Sequence, residues 1–281
     1  MSRTVWYPGH MAKGKRTLSE LSGKLDIIIE VRDARAPALT SSPLVDDLAR
    51  VCPVAVVLSK RDLADERATA RWLSCFEESG VCAWALNLLK PKVDHIRREL
   101  APFAPSHREV RLAVVGIPNV GKSMFLNALV GRSSAKVGGI PGITRGVSWY
   151  RGRGILAVDS PGILDPKADA ETHLRLAWLG CSKAEVIGME RVALGLVSYL
   201  RREGLWGVVE EKWGVPAPGD QADQEVLEAV GRRLGCLVPG GVVDLAAAAK
   251  RLVDAFSMGR LGQVTLEAPC LLYTSPSPRD S

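Results

Sequence analysis

The 281-residue sequence has no apolar run as long as a membrane span requires, which is about 18 to 20 consecutive residues. Residues 1–8 also lack the apolar core of a secretory signal. These two absences argue against a membrane-embedded protein and against export. We therefore expect a soluble protein.

Cysteine and histidine are few and scattered. The six cysteines form no C-x-x-C pair, and the four histidines are equally dispersed. Closely paired cysteines are typical of zinc sites and redox motifs, and dense cysteine spacings of disulfide frameworks. The sequence thus favours a reducing compartment and predicts no metal site built from protein ligands alone.

The remaining composition is that of a globular protein, with 47% hydrophobic and 24% charged residues. The net charge of +6 favours a polyanionic partner without identifying one. The length allows one large domain or two ordinary ones, at roughly 150 residues each.

The clearest motif is GIPNVGKS at residues 116–123, which matches the phosphate-binding pattern G-x-x-x-x-G-K-[ST]. An apolar strand is predicted over 110–115 before it, and apolar residues at helical spacing follow over 124–130. In that context the loop N–H groups and the helix N-terminus would bind a phosphate. Lys122 would reach the β- and γ-phosphates and Ser123 would ligate Mg²⁺. The alternative is a glycine-rich turn that opens an ordinary helix.

A base-recognition motif is predicted at Ser59-Lys60-Arg61-Asp62. It follows the second of two β-branched segments, 26–31 and 54–58, which predict strands of a doubly wound sheet. Ligands bind at the carboxyl ends of such strands. The Asp62 carboxylate could accept the N1–H and the 2-amino hydrogen of guanine, which adenine cannot offer. Another interpretation is that Asp62 is the N-cap of a helix predicted over 63–76, and both roles could hold at once.

Two segments after the phosphate-binding loop would complete a nucleotide site. Thr144 lies in the turn-rich segment 137–146, which we expect to be mobile, and suits a Mg²⁺ contact that forms with a γ-phosphate. The predicted strand 155–158 ends in a D-x-x-G motif. There Asp159 would hold Mg²⁺ through water, and the Gly162 N–H would contact the γ-phosphate.

Helical patterns dominate after residue 167, over 184–202, 223–234 and 242–256. They predict a small helical domain that buries Trp206 and Trp213. The predicted division is a basic arm at 1–22, a nucleotide-binding domain at 23–178, the helical domain at 179–268, and a disordered tail at 269–281 that is native or a cloning scar.

The N-terminal arm combines aromatic residues, a Pro-Gly turn and a basic cluster between Trp6 and Arg16. One interpretation is a solvated arm that leads into a helix ending near Ser22. The other is a surface that contacts phosphates and holds His10 near the chemistry.

The order of the motifs is unusual, because the base motif and a polar loop at Leu86-Asn87 precede the phosphate-binding loop. With the arm, Asp33–Pro37 and Pro141–Thr144, this order resembles the circularly permuted GTPases of the YlqF/RbgA family. The resemblance runs from about residue 4 to 267. It implies an α/β fold, a doubly wound and mostly parallel sheet with a P-loop, followed by a small all-α domain.

The resemblance also implies a GTPase that assists late maturation of the large ribosomal subunit, with the helical domain contacting rRNA. It implies a monomer off the ribosome, in the bacterial cytoplasm or an organellar matrix or stroma. Ser59 departs from the family, which usually has Asn or Thr there. The departure predicts weaker guanine affinity or weaker coupling to the phosphate-binding loop.

Hydrolysis needs a positioned water, and the residue after Gly162 is Ile163, where many small GTPases carry a glutamine. The resemblance offers two replacements. Asn119 matches GTPases in which a bound K⁺ supplies positive charge, and His10 matches the histidine proposed as catalytic in this family. The alternatives are that Asn119 stabilises the loop and His10 caps a turn.

The motifs predict GTP as substrate and Mg²⁺ as cofactor with a set of site residues, to which the resemblance adds K⁺ and the catalytic roles of His10 and Asn119. The catalytic residues are His10, Asn119 and Lys122, the Mg²⁺ contacts are Ser123, Thr144 and Asp159, and the K⁺ contact is Asn119. The nucleotide-binding residues are Ser59, Lys60, Asp62, Asn87, Gly116, Asn119, Val120, Gly121, Lys122, Ser123, Met124, Thr144, Asp159 and Gly162.

Two other functions share some of these motifs. One is a nucleotide-gated RNA-binding checkpoint module with negligible independent catalysis. The other is an ATP-dependent P-loop phosphotransferase, which needs neither Asp62 nor Thr144. Competition between GTP and ATP would separate a GTPase from the phosphotransferase.

Overall fold

The computed structural model describes residues 16, 20–131, 135–137, 148–165, 167–217 and 219–269, with 135–137 as backbone only. They form two compact units. The sheet unit comprises the described residues up to 165 together with 265–269, and the helical unit comprises 167–264. Most of the predicted arm, and the tail after 269, lie outside the described residues.

These units differ from the predicted domains at both ends of the helical part. Residues 170–178 form a helix of the helical unit, where the Trp178 indole donates to the Val192 carbonyl at 2.9 Å. Residues 265–267 instead hydrogen-bond to the sheet unit, for example from the Leu266 N–H to the Arg35 carbonyl at 2.7 Å. The predicted boundaries at 178 and 268 therefore do not coincide with the observed ones.

The described residues contain seven strands in one mixed sheet. The strands are β1 (Ile27–Asp33), β2 (Val54–Ser59), β3 (Ala83–Ala85), β4 (Val110–Val115), β5 (Ala135–Val137), β6 (Trp149–Gly152) and β7 (Ile155–Asp159). Their order is β3-β2-β1-β4-β7-β6-β5. Pairing is parallel from β3 to β7 and antiparallel for β7–β6 and β6–β5.

The parallel strands form because apolar residues dominate their sequences, although β1 also carries Glu30, Arg32 and Asp33. Every residue of β1 is buried, and β4 is buried except at Arg111. Such runs are typical of parallel strands covered on both faces. One core cluster includes Leu48, Trp149 and Ile163, and a second includes Trp72. The doubly wound, mostly parallel sheet predicted from the sequence is confirmed.

In the part of the sheet unit that the structure describes, the strands are flanked by the helices α1 (Val45–Ala49), α2 (Glu66–Glu78), α3 (Asp94–Leu100) and α4 (Lys122–Val130). The N-cap of α2 is Asp65, whose carboxylate accepts from the Ala68 N–H at 2.7 Å. Asp62 lies instead in a 3₁₀ turn, Arg61–Leu63. The alternative in which Asp62 caps this helix is therefore wrong.

The helical unit contains α5 (Ala170–Trp178), α6 (Ala184–Ile187), α7 (Met189–Arg202), α8 (Gly207–Trp213), α9 (Asp223–Arg233) and α10 (Leu245–Ser257). The single helix predicted over 184–202 is broken at Gly188, whose φ is +102°. Trp206 is buried as predicted, whereas Trp213 is only half-buried. None of the described helices has the length and apolar character that crossing a membrane requires.

Candidate nucleotide-binding site

The carboxyl ends of β1 and β4 lie side by side where the strand order reverses, with β2 and β3 on one side and β7 on the other. Doubly wound sheets bind ligands at such a switch point. The phosphate-binding loop follows β4, the base motif follows β2, and Asp159 ends β7. The sheet therefore brings the three described motifs to one edge.

The two fixed glycines of the loop are required by its geometry. Gly116 has a φ of +147°, and a Cβ there would lie 2.5 Å from the Val31 carbonyl oxygen. Gly121 has a φ of +97°, and a Cβ there would lie 2.9 Å from a Leu88 methyl group. Asn119 also has a positive φ, +60°. Only glycine fits at 116 and 121 without collision, whereas asparagine is one of the few other residues that tolerate a left-handed backbone.

Lys122 begins α4, and its long side chain is buried. The ammonium group donates to the Ile117 carbonyl at 2.7 Å, so it lies over the loop. This is where the phosphates of a nucleotide would be its acceptors. Two other residues predicted to bind the nucleotide differ in exposure. Met124, in the first turn of α4, is 46% exposed, whereas Val120 is fully buried.

Ser123 and Asp159 form the pair that could hold Mg²⁺. The Ser123 hydroxyl donates to Asp159 Oδ2 at 2.7 Å. Asp159 Oδ1 is buried and has no hydrogen-bond partner among the described residues. Mg²⁺ in nucleotide sites takes one or two protein oxygen ligands and completes its shell with water and phosphate oxygens. The hydroxyl and the orphaned carboxylate oxygen fit that requirement.

The D-x-x-G segment packs directly on the phosphate-binding loop. A Cβ at Gly162 would lie 2.7 Å from the Pro118 nitrogen, so the close approach requires glycine. The next side chain, Ile163, is buried in the core cluster with Val115 and Trp149. Ile163 is therefore turned into the core and does not take the place of a water-orienting glutamine.

The base motif turns sharply after β2. Lys60 is left-handed, with φ +54° and ψ +34°, and Asp62 follows in the 3₁₀ turn. The Arg61 N–H donates to the Leu86 carbonyl at 3.2 Å, which places the predicted guanine loop beside the motif. Asn87 shapes that loop, because its Oδ1 accepts from the Leu89 N–H at 2.8 Å.

Ser59 joins the base motif to the phosphate-binding loop. Its Oγ lies 2.5 Å from the Val120 carbonyl oxygen and 2.9 Å from that of Arg32. Both are acceptors, so the one hydroxyl proton is shared between them. The sequence predicted that serine could weaken this coupling, whereas the structure retains a hydrogen bond between the two motifs.

A buried ionic cluster lies under the base motif. The fully buried Asp33 carboxylate accepts from Lys60 Nζ at 2.8 Å and from two nitrogens of the Arg35 guanidinium at 2.8 and 3.0 Å. Burial alone raises the pKa of Asp33, but the charges and hydrogen bonds of Arg35 and Lys60 outweigh it. They lower the pKa to about 2, so the carboxylate is ionised at neutral pH.

Two predicted residues, His10 and Thr144, lie outside the described residues, as does most of the segment 137–146. The sequence missed the roles of Asp33 and Arg35, which it noted only as part of a family-like motif. A strand that opens on three isoleucines and ends in Arg-Asp-x-Arg was the available signal, because buried charges need partners. The role of Glu267, described below, had no local signal.

Comparisons with known proteins agree with a nucleotide-binding site. A family model described as 50S ribosome-binding GTPase matches residues 111–191. The chain is 33% identical to ribosome biogenesis GTPase A of Bacillus cereus, over 94% of this chain and 93% of that protein. It is 34% identical to mitochondrial ribosome-associated GTPase 1 of Mus musculus, over 93% and 89%. The GNP-bound crystal structure of YlqF from T. maritima matches with a TM-score of 0.64 at 27% identity, over 92% of this chain and 98% of that one.

Proposed function

This chain belongs to the ribosome biogenesis GTPase A family, and from that premise we propose that it hydrolyses GTP as an assembly factor in late maturation of the large ribosomal subunit. The observation that carries the proposal is the hydrogen bond from Ser59 to the Val120 carbonyl. It couples a motif suited to guanine to a loop suited to phosphates. The proposed domains are the arm, a GTPase domain and a helical RNA-contacting domain.

Different described residues bind the phosphates, the base and Mg²⁺. Loop N–H groups and Lys122 hold the phosphates, while the Asp62 carboxylate accepts from N1–H and the 2-amino group of guanine. Ser123 would ligate Mg²⁺ directly, and Asp159 through water, with Thr144 as a further contact. Bound Mg²⁺ supplies charge neutralisation at the β- and γ-phosphates.

The residues that bind GTP and Mg²⁺ do not by themselves activate the attacking water. Since Ile163 is packed in the core, we propose that His10 is brought to the γ-phosphate by the N-terminal arm. We further propose that Asn119 helps to bind a K⁺ ion that neutralises developing charge. The isolated protein would then turn over slowly and be stimulated by ribosomal particles.

The proposed partner is a precursor of the large subunit and its rRNA. The net charge of +6 supports a polyanionic partner, and the names of the relatives support a ribosomal one. The basic residues Arg3, Lys13, Lys15 and Arg16 of the arm, together with the helical unit, would contact RNA. We propose a monomer off the ribosome, in the bacterial cytoplasm or an organellar matrix or stroma.

Two measurements test this function. In the first, ATP competes with GTP for binding, and equal affinities would refute the guanine assignment. In the second, single-turnover GTP hydrolysis is measured with and without large-subunit precursors. Stimulation supports a GTPase assembly factor, whereas particle binding gated by GTP without stimulation would identify a checkpoint module instead.

The RNA contacts have their own test. Each phosphate contact that is removed should lower the slope of log affinity against log salt by roughly one unit. Charge reversal at Lys13 and Lys15 should therefore weaken particle binding and flatten its salt dependence. Particle binding that is indifferent to both salt and charge reversal would contradict the proposed contacts.

A further inference from the structure

After the helical unit, the chain returns to the sheet unit and binds the loop that follows β1. The Leu266 N–H donates to the Arg35 carbonyl at 2.7 Å. Glu267 Oε1 accepts from the Leu39 N–H at 3.0 Å and also from the Ala38 N–H. Residues 266 and 267 thus hold this loop at both its beginning and its end.

The returning segment is anchored on helix α2 as well. The Trp72 indole donates to the Glu267 carbonyl at 3.1 Å, and the Asp65 N–H donates to the Thr265 hydroxyl at 3.0 Å. Trp72 and Leu266 are buried. The segment therefore has a fixed position from which the Glu267 carboxylate can act on the loop.

The loop in turn holds the Asp33 carboxylate. Asp33 Oδ1 accepts from both the backbone N–H and the Nε of Arg35, each at 3.0 Å. The Asp33 N–H donates to the Thr40 hydroxyl at 2.9 Å, and that hydroxyl donates to the Ala36 carbonyl at 2.7 Å. Since the loop closes on Asp33 from two sides, its conformation sets where the carboxylate lies.

Asp33 then contacts the base motif through Lys60 Nζ at 2.8 Å. Lys60 stands two residues before Asp62 and has a left-handed backbone. An ion pair that is buried on the carboxylate side is a strong constraint on the lysine, because a displaced carboxylate would leave charges without partners. Glu267 is thus connected to Lys60 by a continuous series of interactions. Glu267 accepts from the Leu39 N–H, the adjacent Thr40 hydroxyl accepts from the Asp33 N–H, and Asp33 pairs with Lys60.

We propose that Glu267 is a positioning residue for guanine binding, which acts through the 35–40 loop and Asp33 on Lys60. The inference rests on the proposed GTPase function and adds a residue about 200 positions away from the base motif. Residue 267 also lies three residues after the end of the helical unit. A partner that displaces the end of the helical unit would therefore pull on the segment that carries Glu267.

The test measures the affinity of the full-length chain for GDP and GTP, with kcat for GTP hydrolysis. Glu267→Ala should weaken both nucleotides by the same factor, about tenfold, because only the base end of the site is affected. At saturating GTP, kcat should not change. Glu267→Gln should retain most of the affinity, since its amide oxygen can accept the same two N–H groups.

Two comparisons make the result specific. Glu99→Ala is the matched control, because the Glu99 carboxylate accepts from the Trp84 indole at 2.9 Å and does not contact the 35–40 loop. It should leave the nucleotide affinity unchanged. In a Lys60→Ala background, Glu267→Ala should cause no further loss, because its effect passes through Lys60. Tm and circular dichroism confirm that each variant is folded.

The proposal is overturned if folded Glu267→Ala binds GDP and GTP like the wild type, or if Glu99→Ala loses as much affinity. It is also overturned if the losses from Glu267→Ala and Lys60→Ala are additive. Should Glu267→Ala fail to fold, Glu267→Asp replaces it, with an intermediate loss expected and no loss overturning the proposal. A wild type that does not prefer GTP to ATP would instead refute the proposed function itself.

Discussion

Ser59 Oγ donates to the Val120 carbonyl oxygen at 2.5 Å, across 61 positions of sequence. The contact connects the end of β2 to the interior of the phosphate-binding loop. The short serine side chain is enough for this hydrogen bond because the two segments lie close together. A Cβ built at Gly121 would lie 3.8 Å from the Ser59 Cβ.

We predict that Ser59→Ala weakens GTP and GDP by about three- to tenfold, because a buried carbonyl loses its donor at a net cost of about 1 kcal/mol. Ser59→Thr keeps the hydroxyl and should preserve the affinity. Titration calorimetry with both nucleotides checks this. Unchanged affinity in Ser59→Ala would mean that the loop does not depend on the base motif.

Asp62→Asn should weaken GTP and improve binding of xanthosine triphosphate. In the proposed role the carboxylate would accept two hydrogen bonds from guanine, and losing a charged acceptor should cost on the order of 2–4 kcal/mol. Xanthine instead offers an oxygen that the asparagine amide can meet. Competition assays with the two nucleotides decide the matter, and an unaltered preference for GTP would contradict the role of Asp62.

Lys122→Ala and Ser123→Ala should lose nucleotide binding and Mg²⁺-dependent binding, respectively, while both proteins stay folded. The Lys122 ammonium donates to the Ile117 carbonyl of its own loop, and Ser123 is exposed, so neither side chain supports the core. Nucleotide affinity with and without Mg²⁺, beside circular dichroism, provides the measurement. Hydrolysis retained in both variants would point to a different site.

The folded protein should lose stability between about pH 4 and pH 2 as Asp33 is protonated. Its pKa is about 2 in the folded state against an ordinary 3.8, so its stabilisation is present above 3.8 and lost as the pH falls through 2. The difference corresponds to about 2 kcal/mol. Asp26, whose pKa is also lowered, adds to the same trend.

Urea unfolding at pH 6 and pH 3 captures about half of this loss, because the remainder follows only as the pH falls through the folded-state pKa of about 2. Asp33→Asn should reduce the dependence of the unfolding free energy on pH, at the cost of lower stability at pH 6, because Arg35 and Lys60 then lack their buried counter-charge. A wild type and an Asp33→Asn variant with the same acid dependence would contradict the assignment to Asp33.

His10→Ala should spare GTP affinity and particle binding while it removes most of the particle-stimulated rate. The arm would supply His10 to the γ-phosphate only when a partner positions it. Stopped-flow GTP binding and single-turnover hydrolysis on large-subunit precursors, in K⁺ and in Na⁺, separate these steps. Wild-type rates in His10→Ala would make the arm an anchor only, and equal rates in the two salts would remove the K⁺ role of Asn119.

The central strands and the phosphate-binding loop could be predicted because their information is local. β1 opens on three isoleucines, β4 is an apolar run interrupted only by Arg111, and the fixed residues of the loop stand at set spacings. The cap of α2 could not be decided, since Asp62 and Asp65 both precede the helix and only the turn between them selects Asp65. The strand β6 could not be predicted, because four residues are too few to distinguish an alternation of buried and exposed side chains from a loop.

The contacts that organise the site depend on distant residues. Nothing near Ser59 indicates that its acceptor is Val120, and nothing near Glu267 indicates the loop at Ala38 and Leu39. Periodicity and spacing describe one segment at a time, whereas these hydrogen bonds join segments that only the folded sheet brings together.

The return of residues 265–269 to the sheet unit has a consequence for biosynthesis. A chain emerges from the ribosome N-terminus first, so β1, the base motif and the phosphate-binding loop are made long before Glu267. Until that segment emerges, the 35–40 loop lacks two hydrogen-bond partners, the Leu266 N–H and the Glu267 carboxylate. If Glu267 positions the guanine site as proposed, a nascent chain would carry an incomplete site, and full nucleotide affinity would be reached only after residue 267 has been synthesised.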